Sequence, residues 1–443
     1  MSEALELGRE VVSKLRESYD DVAVLMRTRD RVMVKLWNTE PSVTQSWLTT
    51  DVSLLLTKAR KVLILEFSVG RPEEVLKAIE KISSVVERVE ESELYAPLPE
   101  PQEVKPIEGL FDTKVINAMK DPGILTKLMV DAALSEGAER IAGTLTLSSD
   151  ERVLVTSKGF EKSEKKTLVE AYLRVFKNEF SGHWAYGSTH VNEGEIKEVG
   201  RKAGLYASIT NSRADLQPGK YDVVLSPLVV GNLMNYVAFM SSALAVLMGY
   251  SMFMRFKPGD KIASEKLTLV DVPRDPTLPN VASFDDEGVP TYNKPIIEKG
   301  VFYNLLHNSG TATKLGVKST GNAGWIMPNP WNLYMEPGSL REDELVSELR
   351  NGVIITNNWY TRLQNYVEGT FSTVARDATL LVKDGEIVGN VGRIRIATSF
   401  PELLNSIEEL TRQTYDVTWW EVRTPIRAPY VLARNINLTK PYI

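Results

Sequence analysis

Between Val223 and Met254 the chain carries no charged residue, and this run constrains the fold more than any other segment. Its length alone would suffice for a membrane span. Its internal grammar points elsewhere. Val223, Val224 and Leu225 form a short apolar strand-like run, Ser226-Pro227 supplies a helix cap and a first-turn proline, and a helix-compatible sequence starts near Leu228. On a helix, Asn232, Asn235, Tyr236 and Ser242 would share about 120° of arc, with Leu, Val, Ala, Phe and Met around the remainder. A buried helix over 228–248 with one polar face, covered also by a partner subunit, is preferred to a bilayer span. No other stretch is long enough for a second span, and no basic cluster tightly flanks this one.

The 443 residues are enough for two domains, each able to bury its own core. A formal charge of −6 gives no electrostatic footprint for nucleic acid. The chain has no cysteine, which removes disulfides, thiolate nucleophiles and cysteine-containing zinc sites. The first residues, MSEALELGREVVSKL, are acidic at once and lack a long apolar core, so no secretory signal is expected and the cytoplasm is the default location.

The periodicities predict an N-terminal α+β domain over 1–215 and a C-terminal β-rich domain over 216–443. In the first, residues 4–18 read as an amphipathic helix, Asp21–Trp37 as a β-hairpin turning at Arg27-Thr28-Arg29-Asp30, and Lys61–Val69 as a central strand. A helix from Arg71 to about Glu90 follows, then a proline-rich connector over 96–107. The order then recurs: a helix over 124–139, a hairpin in IAGTLTLSSDERVLVTS, a strand in KKTLVEAYLRVF and a helix over 193–204, which suggests an internal duplication within a two-layer α/β domain. The second domain shows short strands, hairpin turns at Lys299-Gly300 and Asp384-Gly385, and helices over 341–350 and 401–412.

Residues able to carry chemistry are few. The only histidines are His183, His190 and His307; the seven-residue spacing of the first two places them on opposite faces of a strand, so loop histidines are preferred to a shared zinc. The Asp285-Asp286-Glu287 triplet suits a hard cation or, preferably, a turn whose acids cap nearby amides. Serine-hydrolase elbows, Walker loops and dinucleotide fingerprints are absent.

An ordered set of short segments is more specific: YDVVLSP at 221–227, KLTLVDVP at 266–273, SFDDEGVP at 283–290, KSTGNAG at 318–324, NLYMEPG at 332–338 and EGTFS at 368–372. With these the chain resembles the TldD/PmbA family, described as metallopeptidases and as modulators of DNA gyrase, and within it the PmbA (TldE) branch. The resemblance covers most of 218–443. A TldD-type member of that family carries an H-E-x-x-x-H zinc motif on the helix after the VVL strand and a cysteine as third ligand. On that pattern Gly231 and Leu233 match, while Asn235, Tyr236 and Met240 stand where the first histidine, the glutamate and the second histidine would be. Amide, phenol and thioether are poor substitutes in a hydrolytic zinc site.

The resemblance thus implies a non-catalytic, metal-free subunit of a peptidase acting on unfolded peptides. Zinc would sit in a TldD-type partner, in a heterodimer, with a homodimer when the chain is isolated. No catalytic residue, metal, membrane or nucleic acid is expected for this chain. Asp285, Asp286, Glu287 and Asn322 are candidate cleft or turn residues, and Ala323-Gly324-Trp325 departs from relatives that place arginine after GNA. The rival readings are a peptidase with an unrecognised site of its own and an adaptor that binds peptides without hydrolysis.

Overall fold

The computed structural model describes residues 3–70, 74–79 and 88–440. Its first half opens with α1 (Glu3–Leu15), β1 (Asp21–Trp37), β2 (Glu40–Lys58), β3 (Lys61–Val69) and α2 (Glu74–Ile79). After a proline-rich extended segment come α3 (Thr113–Lys120), α4 (Gly123–Ser135), β4 (Arg140–Thr156), β5 (Glu161–Lys177), β6 (Phe180–Ser188) and α5 (Glu193–Ser208). The strands form one antiparallel sheet in the order β3-β2-β1-β4-β5-β6. A helix–three-strand–helix unit thus occurs twice, the two meeting along β1 and β4.

Alternation sets the two faces of this sheet. On β5 the odd residues Thr167, Val169, Ala171, Leu173 and Val175 are buried, while Lys166, Leu168, Glu170, Tyr172 and Arg174 are half-buried on the opposite side. The apolar face packs on α4 and α5, where Met129, Val199 and Ala203 join the large core. Val11, Val12 and Leu15 of α1 cover the corresponding face beside Val24, Met26 and Leu54.

The second half contains β7 (Gly219–Leu225), α6 (Pro227–Met240), α7 (Ala243–Leu247), β8 (Leu269–Asp271), β9 (Lys294–Glu298), β10 (Val301–Phe302) and α8 (Ser309–Leu315). It continues through β11 (Leu333–Met335), α9 (Glu342–Leu349), β12 (Gly352–Asn365), β13 (Thr370–Lys383), β14 (Glu386–Asn390) and β15 (Arg395–Ser399). α10 (Phe400–Asn405), β16 (Ile407–Trp419) and β17 (Val422–Thr439) complete it. The sheet follows β10-β9-β8-β11-β17-β15-β13-β12-β7, and β17 also pairs with β7, so five of its strands close on themselves. The architecture is a mixed α+β fold: an N-terminal sheet backed by helices and a mainly β C-terminal half with a buried apolar helix.

Several local expectations are corrected. Asp21–Trp37 and Arg140–Thr156 are not hairpins but two unbroken strands paired from Ala23↔Thr156 to Trp37↔Ala142. The polar stretches that resemble turns lie mid-strand, and Arg27, Arg29, Asp150 and Arg152 within them face a cavity while the ladder continues. Lys61–Val69 is an edge strand, paired along its length with β2 and bridged by Lys61 to Glu91. The helix expected over 401–412 ends at Asn405, because the chain re-enters the sheet at Ile407. The helix expected over 71–90 falls partly outside the described residues, which include α2 over Glu74–Ile79.

The charge-free run likewise does not form one helix over 228–248. α6 stops at Met240 and α7 starts at Ala243. Between them, the Ala243 amide donates to Leu306 O and the Leu306 amide to Ser241 O, diverting the backbone from helical bonding. No helix among the described residues is long and apolar enough to cross a membrane.

Candidate functional site

α6 follows β7 through Ser226, whose hydroxyl donates to Thr356 O instead of capping the helix. Val223, Val224 and Leu225 sit in register with both β12 and β17, so the helix that follows is anchored from two sides. Its polar residues meet these same strands. Asn232 Oδ1 accepts from Asn358 Nδ2 at 2.8 Å and Thr361 Oγ1 at 2.6 Å, while its Nδ2 donates to Glu421 O at 3.0 Å. Asn235 Nδ2 donates to Gly231 O and to Thr424 O at 2.9 Å, and its Oδ1 accepts from the Thr424 amide at 2.8 Å. Tyr236 donates to Thr361 O at 3.0 Å. Met240 is fully buried.

These three positions do not fit a zinc ion. Asn235 has its amide group turned to carbonyls and its oxygen committed to an amide, Tyr236 has its hydroxyl committed to a carbonyl, and Met240 belongs to the apolar core. Among the described residues, no group of three His, Cys, Asp or Glu is arranged to hold a metal ion. His183 is buried 4.3 Å from the Trp419 ring, and burial pushes its imidazole down to about 3, so it is neutral. The His190 ring instead bonds Thr189.

The acidic triplet divides its tasks. Asp285 is fully buried and accepts from the amides of Glu287, Val289 and Ala323. Glu287 caps the start of α8 by accepting from the Ser309 amide at 2.9 Å and from its hydroxyl. Burial, reinforced by the neighbouring Asp285 carboxylate, raises the Glu287 pKa. Asp286 points the other way and receives Arg27 at 3.0 Å and Arg152 at 2.6 Å from the first sheet. Asn322 donates to Asp271 at 2.6 Å, beside the buried Lys294–Asp271 pair. Trp325 donates to Asp286 O, so the Ala323-Gly324-Trp325 segment closes the triplet's turn.

Asp286 and Asn322 are brought to the same cavity, of about 1040 Å³, between the polar face of the first sheet and the second half of the chain. Arg29 and Arg31 from β1, Asp150 and Arg152 from β4, and Lys166 and Glu170 from β5 form its floor. A second cavity of about 500 Å³ has Trp37, Tyr172, His183, Trp419 and Trp420 in its walls. Sequence reasoning missed these floor residues by taking the Arg27–Asp30 stretch for a turn. The available signal was the polar–apolar alternation of KKTLVEAYLRVF, which marks one wet and one dry face.

A family model described as PmbA/TldA metallopeptidase C-terminal domain matches residues 218–440, and its central-domain counterpart matches 114–209. The chain is 28% identical over 258 residues to a metalloprotease of Methanothermobacter thermautotrophicus, a match covering 55% of this chain and 56% of that protein. It is 29% identical over 198 residues to the metalloprotease PmbA of Escherichia coli O157:H7, covering 43% and 42% of the two chains. The matched segment thus spans about half the length of these curated relatives. The crystal structure of TldE from Thermococcus kodakarensis superposes with a TM-score of 0.86 at 19% identity, over 98% of this chain and 100% of that one, a likeness of fold. The chain therefore belongs to the PmbA/TldD metallopeptidase family.

Proposed function

We propose that this chain is the metal-free, non-catalytic subunit of a two-component cytoplasmic peptidase, paired with a TldD-type subunit that holds zinc and hydrolyses unfolded peptides. The observation that carries the reading is the commitment of Asn235 and Tyr236 to backbone partners and of Met240 to the core, at the positions the resemblance equates with the zinc motif. A catalytic site there would require breaking bonds that hold α6 to β12 and β17.

An exposed apolar surface supports the pairing. Phe239, Leu247, Met248, Tyr250 and Met254 are exposed along α6, α7 and the turn that follows, and Tyr366 packs on Tyr250. Such a patch is the kind of surface a second subunit covers. In the absence of the TldD-type partner, a second copy of this chain takes its place.

The test is hydrolysis of unstructured peptides by this chain, by a TldD-type chain and by their mixture, each with and without a chelator. Turnover is expected in the mixture, chelator-sensitive, and absent from this chain alone. Chelator-sensitive turnover by this chain alone would instead establish a peptidase in its own right, and peptide binding with no turnover in any mixture would establish an adaptor.

A further inference from the structure

We propose that the two cavities are parts of one peptide-binding trench. An extended segment lies in it with acidic side chains toward Arg31 and Arg423 and a bulky aromatic side chain among Trp37, Trp419 and Trp420. The proposal rests on the peptide-handling role argued above and names the peptide chemistry that this subunit selects.

Strand register makes the floor continuous. Arg27, Arg29 and Arg31 of β1 line the first cavity, and Lys35 and Trp37, further along the same face, line the second. On β5 the wall passes from Glu170 in the first cavity to Tyr172 in the second, adjacent positions on one face. From Arg27 to Trp37, at about 3.4 Å per residue, the floor is about 34 Å long, the span of an extended peptide of about ten residues. The roof is also shared, because Thr418 and Arg423 border the first cavity while Trp419 and Trp420 border the second.

The walls hold polar groups without partners. Arg31 Nε, Asp150 Oδ1, Arg152 Nε, His183 Nδ1 and Trp419 Nε1 are buried and make no hydrogen bond among the described residues. His183 and Trp419 are each only 3% exposed. Buried polar atoms are nearly always paired, so these five, among thirteen such atoms in the described residues, mark side chains of the trench that can still turn to a ligand.

Charge selects the ligand's character. Arg27 and Arg152 share Asp286, and Arg29 is held between Asp51 and Asp150. Lys166 donates to the carbonyls of Pro279 and Val281. Among the described residues, three cations that line the trench, Arg31, Lys35 and Arg423, form no ion pair, and Arg31 and Arg423 are the two in the first cavity left for carboxylates. At the other end Trp37 is 66% and Trp420 54% exposed, large aromatic surfaces at the mouth of the second cavity. Stacking on such rings rewards an aromatic side chain.

Fluorescence anisotropy of the full chain with labelled glycine-serine peptides tests this. The peptide carries glutamate near one end and phenylalanine about six residues away, matching the roughly 20 Å from Arg31 to Trp37. Saturable binding is expected, weakened about tenfold, or ~1.4 kcal/mol, by Arg31→Ala, Arg423→Ala or Trp420→Ala. Trp420→Ala should have no further effect once the peptide phenylalanine is alanine, nor Arg31→Ala once its glutamate is glutamine. Bringing the two groups next to each other should also weaken binding. Thermal melts check that each variant folds.

Absence of saturation, or losses that simply add between protein and peptide changes, would overturn the trench. Neither result affects the two-subunit assay, which reads turnover in the mixture. Conversely, coupled binding without turnover in the mixture would retain the trench and sink the two-subunit reading.

Discussion

The side chain of Asn235 grips the backbone of Thr424 at both of its polar atoms, Nδ2 to the carbonyl at 2.9 Å and Oδ1 from the amide at 2.8 Å. Three residues earlier, Asn232 donates to Glu421 O. α6 therefore holds the turn between β16 and β17 and the start of β17, which present Trp420 and Arg423 to the cavities. A helix position that the family resemblance equates with a metal ligand serves here to fix a loop.

Replacing Asn235 with alanine should unpair both Thr424 groups. Each unsatisfied, partly buried group costs about 1 to 3 kcal/mol, so a loss of about 2 to 6 kcal/mol is expected for the pair. Urea titration would read it as a lowered midpoint with unchanged slope. An unchanged midpoint would mean that water replaces Asn235 without penalty.

Rebuilding the zinc motif by Asn235→His, Tyr236→Glu and Met240→His together should not create a peptidase. The third ligand is absent, and the two histidines would stand about 140° apart around a regular helix. Met240 is also fully buried, so an imidazole in its place would be forced into apolar surroundings and destabilise the core. The expected result is a less stable protein with no chelator-sensitive turnover on its own; such turnover would contradict the geometric argument.

Gly200 on α5 faces α4 so closely that a Cβ would stand 1.9 Å from Met129 O. Gly200→Ala must push the two helices apart at backbone, where no side chain can rotate away. A loss of at least about 1 to 3 kcal/mol is expected from this overpacking, checked by denaturant unfolding. Wild-type stability in the variant would show that α4 can slide freely beneath the sheet.

Stability should fall as pH rises through the titration of Glu287. Burial raises its folded pKa above the ordinary 4.5, so the folded chain retains a proton that the unfolded chain releases. The contribution is fully present below about 4.5 and is lost as pH climbs toward and past neutrality. Glu287→Gln preserves an oxygen for the Ser309 amide and removes the charge, so its unfolding midpoint should decline less between acidic and alkaline buffers. Equal declines in the two proteins would place the pH dependence elsewhere.

How much of this was legible beforehand differs by scale. Ser226-Pro227 after Val223-Val224-Leu225 announced strand, turn and helix because a first-turn proline acts within a few residues, although the Ser226 hydroxyl bonds Thr356 O rather than capping α6. Lys299-Gly300 and Asp384-Gly385 likewise form left-handed turns, with φ of 47° and 78° and of 53° and 82°. Such features depend on local backbone sterics, which one short segment specifies completely.

Tertiary structure decided the rest. Arg27-Thr28-Arg29-Asp30 has the polarity of a turn but stays in β1, because Asp51, Asp150 and Asp286 from distant segments pair with its arginines. The apolar run beyond Leu228 breaks at Ser241 because Leu306 supplies competing backbone bonds. Residue types alone showed that Asn235, Tyr236 and Met240 make a poor zinc set; that Asn235 instead holds Thr424 follows only from the fold. Local propensity specifies elements over a few residues, whereas the partners that satisfy a buried charge or amide come from distant positions in the chain, and only packing selects them.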